Sequence, residues 1–419
     1  WLYGGLDNVG AGHSDLWRFN PTTNQFTYIK GNMGVGALAP TYGTQGIPSP
    51  NNSPGARGFS GLTWVDAQDN LWLYGGDNVG GAKADLWKYN IPTNMWTWMG
   101  GSMFANVAAV YGTQGIPAAN NTPGSRRELG TGWVDLNGDF WLYGGEDQQV
   151  ANHHCDMWKY NTSINEWVWM SGTNAINLAA HYGTLGQYSA ANTPGGRSPY
   201  NMWTDQNGIL WMFGGGDLNL TQFGADMWCY DPSINQWKWV SGSNQWNAVG
   251  MTGNMCDTSV SYYPPARGEH RSCWKDECDN LWVFGGIHDI TPSTSNALND
   301  LWAYRPVQND WTWVSGSLYY NQYGTYGTQG VPAPGNMPGG KLGASSFRDN
   351  QGNLWLFGGS DSYYIHPYND LWKFIPDSTC PVMHDCFNNV SAPVANFSSS
   401  KHEFCLGECI NFSDLSTNS

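Results

Sequence analysis

The stretch "NLWLYGGDNVGGAKADLWKYNIPTNMWTW", Asn70 to Trp98, decides the fold. It contains three short runs of aromatic and aliphatic residues, "LWLY" from Leu71, "LWKY" from Leu86 and "WTW" from Trp96. Gly75-Gly76 ends the first run, and "NIPTN" from Asn90 joins the other two with turn chemistry. In "LWLY" both alternating sets are apolar, Leu71 and Leu73 on one side and Trp72 and Tyr74 on the other. A strand of this kind must bury both faces.

The same signature recurs along the chain. "WLYGG" begins at Trp1, Trp72 and Trp141, and "WMFGG", "WVFGG" and "WLFGG" begin at Trp211, Trp282 and Trp355, with spacings of 71, 69, 70, 71 and 73 residues. Asp-Leu/Met-Trp follows from Asp15, Asp85, Asp156, Asp226, Asp300 and Asp370. An aromatic-x-aromatic run follows in turn at Phe26, Trp96, Trp167, Trp237 and Trp311, and a basic residue precedes the next unit at Arg57, Arg126, Arg197, Arg267 and Lys341. Each unit therefore encodes four short strands joined by hairpin turns such as "DAQDN" from Asp66. Such sheets bury both faces when stacked radially, which predicts an all-β propeller. There are six copies of strands two and three but five of strands one and four. Six four-stranded blades are expected, with a stretch upstream of Trp1 supplying both missing strands, and seven blades are the alternative.

On these motifs the chain resembles the kelch-repeat family over about residues 1–378, with a propeller like the central domain of galactose oxidase. Its period near 70 exceeds the roughly 50 of kelch repeats. The excess lies between strand four and the next strand one, in loops carrying "YGTQGIP" from Tyr42 and Tyr111, "YGTLGQY" from Tyr182 and "YGTQGVP" from Tyr326. Each crosses the same gap, so these loops read as straps packing their tyrosines at blade junctions. The strap between blades four and five departs from the pattern, with Cys256, Tyr262 and Tyr263. Residues 379–391 read as a linker. Residues 392–419, with "APVANF" and "NFSDLS", resemble the opening of a PKD domain, an Ig-like β-sandwich that would here be truncated. Together these resemblances imply a modular bacterial protein, secreted or on the cell surface.

Composition narrows the function. The 419 residues carry 25 Trp, 54 Gly, only 12% charged residues and a net charge of -15. That balance lacks the clustered Lys and Arg that a nucleic-acid partner requires. No apolar run is long enough for a membrane span. The nine cysteines suit an oxidising compartment, and local spacing suggests the pairs Cys273–Cys278, Cys380–Cys386 and Cys405–Cys409.

Turns such as Asp66 and Asn90 mark one rim, so the long connections share the other, and that second rim is the expected functional face. It should carry Asp7, Asp77, Asp147, Asp217, Asp289 and Asp361 just beyond the double glycines. Six convergent acids would attract Ca²⁺, although no local spacing matches a Ca²⁺ loop, and solvated loop acids are the simpler reading. "HHCD" at His153–Asp156 is the densest group of metal-competent side chains, yet neighbours in an extended segment point apart. No metal site or other cofactor is expected. The Asp of Asp-Leu/Met-Trp and the repeated Arg read as scaffold, because every unit has them.

The expected function is recognition or adhesion without catalysis, by binding glycan or a surface protein through Asp147, His153, His154, Asp217, Tyr262, Tyr263, His288, Asp289, Tyr363 and Tyr364. The alternatives are an extracellular carbohydrate-active oxidase or lyase, and a structural subunit that self-assembles. No phosphate loop, G-x-S-x-G elbow or H-E-x-x-H is present, which tells against an enzyme.

Overall fold

Each repeat folds as its turns dictate. Asp66 accepts the backbone N–H of Gln68 and Asn70 on Oδ1, at 3.0 and 2.9 Å, and the indole N–H of Trp72 on Oδ2 at 2.8 Å. Asp135, Asp205, Asp276 and Asp349 hold Trp141, Trp211, Trp282 and Trp355 in the same way. An Asx turn thus seals the first hairpin and anchors the signature tryptophan.

The computed structural model describes residues 1–376 and Cys380, except 8–9, 33, 35–37, 59–60, 79, 128–131, 148–151, 217–221, 292–293 and 362–366, together with the backbone of 397–399 and 412–414. Among the described residues the chain is all-β. It forms a propeller of six antiparallel blades on a four-stranded plan. Blade two, for example, comprises Leu62–Val65, Leu71–Tyr74, Ala84–Asn90 and Met95–Ser102, paired in chain order. Blade one has strands two to four (Leu2–Tyr3, Leu16–Asn20, Gln25–Lys30), and blade six has strands one to three (Ser345–Arg348, Leu354–Phe357, Leu371–Phe374).

One aromatic contact, repeated at every junction, closes the ring. The signature tryptophan of each blade meets the aromatic residue of strand three in the next: Trp1–Tyr89, Trp72–Tyr160, Trp141–Tyr230, Trp211–Tyr304 and Trp282–Phe374, at 5.6–6.2 Å between centroids. The sixth contact, Trp355–Phe19 at 5.3 Å, joins blade six to blade one, and Phe357–Phe26 at 5.1 Å supports it. Six blades complete the circle, so the seven-blade alternative is excluded.

The straps do more than cross a gap. Tyr188–Ser189 and Thr258–Ser259 pair with the fourth strands of blades four and five, and Ser49 and Ala118 bridge to Trp96 and Trp167 in blades two and three. The straps that lead into blades two to five thus lend a short edge segment, a fifth strand in blades four and five and a single bridge in blades two and three, that covers the outer edge of the blade.

The expected local disulfides need correction. Cys380 is joined to Cys256, 124 residues earlier, with Cα atoms 5.2 Å apart, and not to Cys386. Cys256 lies on the strap of blade five, beside blade-six core residues such as Leu354 and Trp372. Closeness in sequence was misleading here because ring packing brings the two together. Cys278 is disulfide-bonded but not to Cys273, whose side chain packs against the core between blades four and five. Cys386, Cys405 and Cys409 lie outside the described residues. In the tail, Phe397–Ser399 pairs antiparallel with Phe412–Asp414, and the rest of the expected Ig-like segment lies outside the described residues. Among the described residues no helix is long and apolar enough to cross a membrane.

Candidate functional site

The scaffold consumes the repeated charges. Arg57 donates to Asp85 at 2.7 Å, Arg126 to Asp156 at 2.7 Å, Arg197 to Asp226 at 2.8 Å and Arg267 to both oxygens of Asp300, and Lys341 reaches Asp370. Each cation also donates to the carbonyl of the first glycine in its own blade, such as Arg126 Nε to Gly144 O at 3.1 Å. Its own carbonyl accepts the N–H of the second glycine in the blade before, such as Gly76 to Arg126 at 2.8 Å. Each Asp further accepts the indole N–H two residues on, as in Trp158 to Asp156 at 2.8 Å. The side-chain pairs thus brace each blade internally, and the main-chain carbonyl of the cation ties it to the blade before.

The unrepeated polar residues beside these ties make the candidate site. Neighbouring first strands (Trp133–Val134, Asn201–Thr204, Ser272–Lys275, Ser345–Arg348) touch one another and so line the axis. Residues just before them crowd its end. Arg127, next to the scaffold Arg126, exchanges backbone hydrogen bonds with Glu146, and its guanidinium lies 3.8 Å from Glu146 Oε1 and 3.6 Å from Asp77 Oδ2. From blade four, Tyr200 donates its hydroxyl to Glu269 Oε1 at 3.2 Å. Arg271 pairs with Glu269 Oε2 and lies over the Tyr200 ring at 4.9 Å. Glu146 and Glu269 are both buried.

Burial shapes the titration. Desolvation pushes Glu146 up to about 7, with Glu269, Asp147 and Asp77 adding to the rise and Arg127 opposing it. Burial holds His153 down to about 4, helped by its neighbour His154. Among the described residues, buried polar atoms without a hydrogen-bond partner include Glu146 Oε1, both ring nitrogens of His153, Ser198 Oγ and both amide atoms of Asn201 in blades three and four, and also scaffold atoms such as Asp85 Oδ1, Asp156 Oδ1 and Arg197 Nε. At the unrepeated positions such atoms mark where a ligand or ordered solvent would bind.

The structure treats the expected residues unequally. Asp147, His153 and His154 lie beside Glu146, with His154 Nε2 3.6 Å from Asp147 and the backbone of His153 latched to Asn177. His288 is separate: its Nδ1 lies 2.7 Å from Ala266 O and its ring stacks on Tyr320 at 5.2 Å. Tyr262 and Tyr263 pack against the core between blades four and five rather than against the two glutamates. Asp217, Tyr363, Tyr364 and the side chain of Asp289 lie outside the described residues. Sequence reasoning missed Arg127, Glu146, Tyr200, Glu269 and Arg271. The signal was the dense charge of "SRRE" and "ARGEHR" beside a repeated arginine, in a chain with few charges.

Among the described residues, no three His, Cys, Asp or Glu side chains group to hold a metal ion. The chain matches no protein-family model and no curated protein.

Proposed function

We propose that this chain is a kelch-type propeller serving as an extracellular recognition module, and that it binds glycan at the axial end of blades three to five. One observation carries the reading: unrepeated polar and charged residues of blades three to five converge on one end of the axis, where Glu146, His153, Ser198 and Asn201 keep unmet hydrogen-bonding capacity. Tyr200, flanked by Arg271, offers an aromatic face, and Glu146, Glu269 and Arg127 offer charge-assisted partners for hydroxyl groups. The rigid ring presents them without ordering cost. The Cys256–Cys380 disulfide fits an oxidising compartment.

The test is a glycan array followed by calorimetry on the best ligand, with Glu269→Gln and Arg271→Met alongside the parent chain. Binding weakened about tenfold or more by either change supports the axial site. Undiminished binding in both variants removes it. A second reading rests on Glu146, whose carboxyl is half protonated near pH 7 and faces the charge of Glu269, as an acid–base pair acting on a sugar would require. Release of reducing ends or unsaturated products from the bound glycan, lost in Glu146→Gln, would favour that enzyme over a binding module.

A further inference from the structure

The loops that leave strand four share one frame and differ in what they display. In blades two to five the backbone N–H of Phe104, Ala175, Gln245 and Tyr319 donates to the Ser or Thr hydroxyl two residues earlier, at 3.0–3.2 Å. Two residues further on, Asn106, Asn177, Asn247 and Asn321 adopt φ of 54–59° and donate their backbone N–H to the approach to strand three of the same blade, at 2.8–2.9 Å. Asn177, Asn247 and Asn321 also accept a backbone N–H from that approach on Oδ1, each at 2.8 Å. The turn is thus bolted to its blade at both ends, and a rigid turn of this kind presents its variable side chains without ordering cost.

Blade five fills the three variable positions of this turn with Tyr319, Tyr320 and Tyr323, where blade three has Ala175, Ile176 and Ala179. Tyr320 stacks on the imidazole of His288, with ring centres 5.2 Å apart and planes 9° from parallel. His288 is buried, and its Nδ1–H donates to Ala266 O at 2.7 Å, so Nε2 of the neutral ring is left as an acceptor. Among the described residues that Nε2 makes no hydrogen bond. Tyr319 and Tyr323 are 80% and 88% exposed. Their exposure belongs to the turn itself, because the same positions are as open at other junctions, Phe104 at 74% and Val249 at 77%.

We propose that this turn of blade five is a second binding site, specific for an uncharged glycan, in which Tyr319 and Tyr323 stack on sugar rings and His288 Nε2 accepts a hydrogen bond from a hydroxyl. Residues 315–330 contain no charged side chain, which selects against an ionic ligand. A tyrosine ring offers a broad apolar face to the C–H side of a pyranose, and one recessed acceptor beside it fixes the orientation of the sugar. A protein is the poorer occupant. Gln245 and Val249 hold the positions of Tyr319 and Tyr323 in the neighbouring turn, so the tyrosine surface ends within one blade, whereas a specific protein interface buries roughly 1,000 Å² or more. The turn shares no residue with the axial group of Glu146, Tyr200 and Glu269, so the two sites stand or fall separately.

The probes are cellohexaose, laminarihexaose, mannohexaose and chitohexaose, each titrated into the whole chain by calorimetry. Saturable binding of at least one is expected, weakened about tenfold or more by Tyr319→Ala combined with Tyr323→Ala. His288→Phe keeps a ring against Tyr320 but has no acceptor, and should weaken the same sugar by a similar factor. Melting curves matching that of the parent chain establish that the variants fold. No binding of any probe at about 5 mM, or binding indifferent to all three substitutions, overturns the proposal. So does binding that Glu269→Gln abolishes and the tyrosine variant does not, which places the sugar on the axis. Capture of a protein through Tyr319 and Tyr323 by a chain that binds none of the four sugars overturns it as well.

Discussion

Tyr111 donates its hydroxyl to Asp156 Oδ2 at 2.7 Å, and Arg126 donates to the same oxygen at 2.7 Å. Tyr111 belongs to the "YGTQGIP" strap, Asp156 to the Asp-Met-Trp motif and Arg126 to the first-strand approach, so one carboxylate joins three motifs that sequence alone lists separately. Tyr42–Asp85, Tyr182–Asp226 and Tyr326–Asp370 repeat the bond. The strap of blade five has Thr252 where the others have tyrosine, and there Arg267 takes both oxygens of Asp300.

The Arg126–Asp156 pair is fully buried whereas Tyr111 is half-buried, so loss of the latch is asymmetric. Asp156→Asn leaves the Arg126 guanidinium without its counter-charge and should cost about 3–5 kcal/mol. Tyr111→Phe removes one hydrogen bond and should cost about 1 kcal/mol. Denaturant unfolding of both variants measures the difference. Equal, small losses would mean that the ion pair adds little to the blade.

Much of the fold could be read from the sequence because its units repeat. Six Gly-Gly pairs and six Asp-Leu/Met-Trp motifs reveal blade number and strand order, since each copy tests the others. The axial site follows the opposite logic. Glu146 belongs to blade three, Tyr200 to blade four and Glu269 with Arg271 to blade five, so the three groups meet only when the ring closes. The Cys256–Cys380 bond was illegible for the same reason, as was the covering of a blade's outer edge by the straps of blades two to five, which depends on the next blade's fourth strand.

Glu146 gives the chain a signed dependence on pH. Its folded-state value, raised to about 7 from 4.5, favours the neutral acid in the native state. Below pH 4.5 both states are protonated and no penalty exists. As pH rises the unfolded chain ionises first, so stability falls, and above about 7 the full penalty of ~3 kcal/mol applies. Glu146→Gln should therefore raise the melting temperature at pH 8 and leave it nearly unchanged at pH 4.5. His153, held near 4, has the reverse effect: its neutral form is favoured, and stability is lost as pH falls from 6.5 towards 4. His153→Gln should flatten that acid limb. Melting curves across the range separate the two limbs.

The disulfide closes a loop of 124 residues and fastens the end of blade six to the strap of blade five. Reduction, or Cys380→Ser, should cost about 2–5 kcal/mol. Cys256 stands where other straps have glycine, at φ 67°. Cys256→Gly should thus be less destabilising than Cys256→Ser, by about 1 kcal/mol, because glycine relieves the left-handed conformation while both lose the bond. Equal losses in the two variants would show that the position carries no backbone strain.

Two kinds of glycine with the same sign of φ provide an internal control on that argument. At Gly101, φ 78°, an added Cβ would lie 1.9 Å from Ala84 O, and Gly172, Gly242 and Gly316 in the same strand-four position meet a carbonyl at 1.9–2.2 Å. At Gly46, φ 76°, the added atom would meet nothing within 4 Å. Gly46→Ala should cost only the conformational penalty, about 1 kcal/mol, as Cys256 already tolerates. Gly101→Ala adds a backbone collision that the strand pairing of Ala84 with Ser102 cannot relax, so its cost should exceed that of Gly46→Ala by about 2 kcal/mol or more. Urea unfolding of the two variants decides it, and equal costs would mean that conformation alone, not close approach, fixes glycine at the end of strand four.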